Sequence, residues 1–133
     1  MTIYLMGNPL VESDSIPLAF VDNLCKNFPE IDIKEIDPSE NFIPEKGDII
    51  IDTVVGIDDI TVFDEVDVFI GHKLITPHDY DLWLHLKLLK KLNKLPKIYV
   101  IGVPVINTKT TKFSKISKLT LGIISSIQEI LSN

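Results

Sequence analysis

The sequence predicts an α/β fold: a three-layer α/β/α sandwich around a mostly parallel, five-stranded sheet. Three observations lead to this expectation. Short apolar runs suited to strands alternate along the chain with segments whose apolar residues recur at helical spacing. Asp48–Val55 is almost continuously Ile and Val, the pattern of a strand covered on both faces. The chain has 133 residues, 45% of them apolar, which suits a single domain over 1–133 with one core.

Each element has its own signal. Ile3–Met6 reads as a buried first strand, ended by the turn residues Gly7, Asn8 and Pro9. Ser13, Asp14 and Ser15 precede Ile16, Phe20, Leu24 and Phe28 at helical spacing, which predicts a helix over 15–27 with Asp14 at its mouth. Ile31–Ile36 partly alternates and predicts a second strand near a sheet edge. Asp37–Lys46 has two prolines and no period, so it reads as a loop before the third strand. A fourth strand is expected within Val62–Gly71, at Val66–Ile70. A second helix is expected over 77–93, with Leu82, Leu86, Leu89 and Leu92 facing inward and Pro96 as its stop. Ile98–Val103 reads as a fifth buried strand. The last helix is expected to bury Phe113, Ile116, Leu119, Ile123, Ile127 and Leu131.

Composition narrows the function. The net charge is −6, with 19 acids against 13 bases, and every base is a lysine. A nucleic-acid surface needs a basic stripe. The only lysine cluster, Lys87–Lys97, alternates with leucines and reads as the solvated side of an amphipathic helix. Without arginine there is no bidentate carboxylate clamp. No apolar run approaches the roughly 20 residues of a membrane span, and the first residues lack the basic leader and cleavage site of a signal peptide. The lone Cys25 cannot form an internal disulfide; it is expected as a buried or half-buried thiol in a reducing compartment.

In a parallel sheet, sites form beyond the carboxyl ends of the strands. Asp14 follows the first strand, Asp52 stands near the end of the third, and His78 opens the second helix within Lys73–Asp81. All three are therefore expected on one edge of the sheet. Two carboxylates and an imidazole suit a borderline divalent ion such as nickel or zinc, and three ligands leave positions open for water or substrate. Without a metal, the two carboxylates can polarise a water directly.

Each residue also has a plainer reading. Asp14 serves equally as a helix N-cap, and His78 alone reads first as a solvated first-turn residue. Asp52 is harder to explain away, because an unpaired acid inside an Ile/Val strand costs on the order of several kcal/mol. His85 shares a helix face with His78 and reads as a core histidine; His72 falls in a loop. Trp83 reads as core, and Glu12, Asp58, Asp59, Asp64 and Glu65 as solvated loop acids. Asn8 either bonds its own turn or holds a substrate carbonyl. Neither dinucleotide nor P-loop glycine motif is present, which disfavours a nucleotide or flavin domain, and no nucleophile elbow appears.

Taken in series, these stretches resemble the nickel-iron hydrogenase maturation endopeptidases. Gly7-Asn8-Pro9-Leu10-Val11-Glu12-Ser13-Asp14 is similar to that family's opening G-N-x-L-x-x-D-E pattern. Asp52 corresponds to its Asp ending a hydrophobic strand, and Thr76-Pro77-His78 to its S-P-H stretch. Lys97–Val105 is similar to its K-x-x-x-x-G-V run. The resemblance implies that Asp14, Asp52 and His78 bind metal and that Asp14 and Asp52 are catalytic. It also implies a cytoplasmic enzyme that removes the C-terminal extension of a hydrogenase large-subunit precursor after nickel insertion. Nickel carried by the substrate, rather than held by the free enzyme, would be the recognition element. No nucleic acid or membrane partner is implied. The sequence departs from the family at Asp14, where a Glu is usual, at Pro17, which replaces a Gly, and at Asp37-Pro38-Ser39-Glu40, which replaces D-G-G-T. The last change motivates the alternative of a catalytically inactive nickel checkpoint or chaperone of the same fold.

Overall fold

The computed structural model describes residues 1–6, 20–36, 43–54, 56–64, 85–104 and 112–132. Among the described residues, five strands form one sheet: β1 (Thr2–Met6), β2 (Asp32–Ile36), β3 (Ile49–Val54), β4 (Thr61–Phe63) and β5 (Tyr99–Pro104). Their spatial order is β2-β1-β3-β5-β4. β1 pairs in parallel with both β2 and β3, and β3 in parallel with β5, while β4 runs antiparallel against β5. The described helices are α1 (Val21–Asn27), α2 (85–91) and α3 (Phe113–Leu131).

Position in the sheet explains the apolar patterns. β3 is central, and all six of its residues are buried, as its Ile/Val run requires. β2 lies at the edge and exposes Asp32, Lys34 and Glu35. Side chains alternate between faces. Ile3, Leu5, Ile49, Ile51, Ile101 and Val103 face one way and meet Phe20, Leu24 and Phe28 of the α1 region and Leu119, Ile123 and Ile127 of α3. Tyr4, Met6, Ile50, Val54 and Val100 face the other way and share a core with Phe63 of β4 and Leu86 of α2. The sheet thus lies between helical layers, as expected.

Several details differ from the sequence expectation. The fourth strand is Thr61–Phe63; the segment 66–70 lies outside the described residues, as do 15–19 of the first helix and 77–84 of the second. Leu86 and Leu89 are buried, but Leu92 is 54% exposed because the helix has already closed there. Asn93, with φ of 57°, takes the left-handed position usually given to glycine. Its N–H donates to the Lys90 carbonyl at 3.1 Å, and the Lys94 N–H donates to the Leu89 carbonyl at 2.8 Å. This is the Schellman pattern, so Asn93 rather than Pro96 ends the helix. On α3, Ile130 is buried in place of Leu131. Cys25 is exposed, not half-buried, because α1 turns Phe20, Leu24 and Phe28 inward and the next position falls outside that stripe.

Candidate functional site

Asp52 is the fourth residue of β3 and is only 5% exposed. Its neighbours Ile50 and Val54 belong to the core shared with α2, so alternation places Asp52 on that same face. Across the sheet it stands in register with Gly102 of β5. A side chain at Gly102 would meet Phe63 at 2.9 Å, Val54 at 3.0 Å and Ile57 at 3.3 Å, so this position beside Asp52 is filled by apolar packing.

One hydrogen bond of Asp52 has a topological cause. The Tyr99 N–H donates to the Asp48 carbonyl at 3.1 Å, so even-numbered residues of β3 direct their backbone groups towards β5. The Thr53 N–H therefore turns towards β1. The β1–β3 register runs from Ile3 opposite Ile49 to Leu5 opposite Ile51, short of Thr53. The Thr53 N–H donates to Asp52 Oδ1 at 2.9 Å. A buried main-chain donor is satisfied in this way, and so is one oxygen of a buried acid.

A second buried acid lies at the opposite end of β3. Asp48 is fully buried; its Oδ1 accepts the Thr2 N–H at 2.8 Å and its Oδ2 accepts the Glu45 N–H at 2.7 Å. The role is architectural: the carboxylate binds the start of β1 to the turn before β3. By sequence alone Asp48 marks only the start of the third strand. An acid between Gly47 and an Ile run was the available signal, since it must find donors when buried. Nearby, burial raises the Tyr4 phenol above its ordinary value of about 10, and the charges of Asp48 and then Glu45 raise it further, against a lowering hydrogen bond with the Thr2 side chain.

Asp14 and His78 lie outside the described residues. Among the described residues no group of three or more His, Cys, Asp or Glu side chains could hold a metal. His85 is half-buried on α2 rather than fully within the core, while Asp58, Asp59 and Asp64 are exposed as expected. Two surface clefts, of about 360 and 440 Å³, flank α3, and Asp52 is absent from the described linings of both.

No protein-family model and no curated protein matches the sequence. Solved structures do match the fold. The hydrogenase maturating endopeptidase HybD from Escherichia coli superposes with a TM-score of 0.64 at 18% identity, covering 97% of this chain and 93% of that one. The [NiFe] hydrogenase maturation protease HybD from Thermococcus kodakarensis gives 0.65 at 20% identity and covers both chains completely. The fold is that of the hydrogenase maturation endopeptidases. A further endopeptidase from Escherichia coli, solved in solution, gives a TM-score of 0.70 at 20% identity, over 97% of this chain and 93% of that one. Within this endopeptidase fold, Asp52 supplies a buried carboxylate on the central strand, two residues from its carboxyl end. Such a group can coordinate a cation or accept a proton from water, provided that other ligands or donors join it. No described helix is long and apolar enough to cross a membrane.

Proposed function

We propose that the chain is a cytoplasmic endopeptidase that removes the C-terminal extension of a nickel-iron hydrogenase large-subunit precursor once nickel has been inserted. The observation that carries the reading is a buried acid at Asp52 in a chain whose whole length follows the hydrogenase maturation endopeptidase fold. Asp52, Asp14 and His78 would gather around nickel brought by the substrate, and Asp14 or Asp52 would help a water attack the amide.

Chain connectivity supports this grouping. The segment bearing Asp14 leaves the carboxyl end of β1, the neighbour of β3. The connector 92–98 leads from α2 to the amino end of β5, and His78 precedes α2 in the sequence. Two carboxylates and an imidazole match the donor preference of a borderline divalent ion.

The test is incubation of the purified chain with a nickel-loaded precursor, followed by mass spectrometry. Release of the C-terminal extension is the expected result. A stable complex without cleavage would instead support the inactive checkpoint reading, which the Asp37–Glu40 departure motivates. Neither binding nor cleavage would overturn both.

A further inference from the structure

We infer that the outer face of α2, centred on Leu88 and Leu92, is a docking surface for an acidic, leucine-bearing helical segment of another protein. This role goes beyond the endopeptidase reading and does not rest on it. Leu86 and Leu89 of the same helix turn into the core, whereas Leu88 is 56% exposed and Leu92 54% exposed. The Leu92 N–H donates to the Leu88 carbonyl at 3.0 Å, so the two leucines stand one helical turn apart. Lys91 is exposed between them, and Lys94 is exposed just beyond the Asn93 cap. Lys87 and Lys90 engage other groups, so Lys91 and Lys94 carry the charge of this face. One exposed leucine is ordinary surface. Two stacked a turn apart form a ridge, the shape against which a second helix packs.

Charge selects the occupant. Five of the 13 lysines and no acid fall within 87–97, which leaves eight lysines against 19 acids in the rest of the chain. The end of α2 is therefore a basic region on an acidic protein. A second copy docked symmetrically would set these lysines against their own counterparts. An anionic membrane or a nucleic acid would draw in 87–97 and repel the remainder. A helical segment that flanks its leucines with carboxylates covers the ridge and meets Lys91 and Lys94 with opposite charge. The methylene stems of both lysines add apolar area to the contact.

The test titrates the isotopically labelled full chain with a synthetic helical peptide that has leucines on one face and glutamates beside them, followed by NMR. Amide shifts centred on Leu88–Lys94 are expected, with affinity falling as salt is raised through about 0.15 M. Leu88→Ser with Leu92→Ser should weaken binding about tenfold or more. Both side chains are more than half exposed, so the fold should survive, and circular dichroism checks it. Lys91→Glu with Lys94→Glu tests the same face without touching a leucine, and should weaken binding to a similar degree. A control peptide with lysines in place of the glutamates should cause no shifts. No binding, shifts centred elsewhere, or equal binding of the two peptides overturns the inference. Sedimentation of the chain with phosphatidylserine vesicles, lost in the leucine variant, would assign this face to a membrane and overturn it as well.

Discussion

The carboxylate of Asp48 accepts the backbone N–H of Thr2 at 2.8 Å, joining residues 46 positions apart in the chain. With its other oxygen on Glu45, it satisfies two main-chain donors at the amino edge of the sheet. Asp48→Ala should therefore cost roughly 2–4 kcal/mol, because each orphaned donor costs about 1–3 kcal/mol when water cannot reach it. Asp48→Asn keeps one acceptor and should cost less. Urea unfolding with an unchanged m-value checks both.

Asp52 should behave differently. Asp52→Ala is expected to abolish release of the precursor extension, by about 100-fold or more, while the fold remains. Asp52→Asn should be equally inactive. Its carbonyl oxygen would face the Thr53 N–H, which turns the amide NH₂ to where the second oxygen stood. Normal cleavage by either variant would remove Asp52 from the site.

Gly102 stands opposite Asp52 in the β3–β5 register. A methyl group there would press on Phe63, Val54 and Ile57. Gly102→Ala should destabilise by about 1–3 kcal/mol through overpacking. Thermal unfolding followed by circular dichroism would measure it; a neutral result would mean that β4 shifts freely.

Asn93 closes α2 in a left-handed conformation. Glycine adopts that conformation without the side-chain penalty, whereas alanine pays about 1 kcal/mol for it. Asn93→Gly should hold or slightly raise stability, and Asn93→Ala should lower it by about 1 kcal/mol. Paired denaturation curves of the two variants distinguish these outcomes.

Tyr4 sets an alkaline limit. Burial first, then Asp48 and Glu45, disfavour its ionised form in the folded chain. The unfolded phenol loses its proton near pH 10, while the folded one keeps it to higher pH. Stability linked to Tyr4 is therefore complete below about pH 10 and declines as pH rises towards the folded value. Tyr4→Phe should flatten that decline relative to the unaltered chain, as measured by urea midpoints between about pH 9 and 11.5.

Much of this architecture was legible in the residues. The Ile/Val run at 48–55 marked the central strand because a strand covered on both faces has no solvent side to make polar. Ile31–Ile36 marked an edge because its polar positions needed water. The end of the second helix near Asn93 was legible, but the capping role of that asparagine was not, since asparagine substitutes for glycine only when the local hydrogen bonds favour it, and that depends on the three-dimensional path. Cys25 was misplaced because a single helical position is turned in or out by the packing angle, not by its own polarity. For the site, the buried acid Asp52 could be found from sequence, since a carboxylate among isoleucines demands a reason. Its bond to Thr53 could not, because no residue type or spacing marks which main-chain donor a buried carboxylate will take. Asp48 was passed over for the same reason: its donors belong to residues distant in the chain or hidden in a turn.

The two margins of the sheet are finished in different ways. On one side, among the described residues, the terminal strand covers Thr61–Phe63. On the other, β2 is longer but carries the exposed charges Asp32, Lys34 and Glu35. A stranger's backbone seeking to extend the ribbon would find little to grip on the first and would have to strip hydration from ions on the second. Neither described margin therefore offers a long apolar ribbon for a second chain to join.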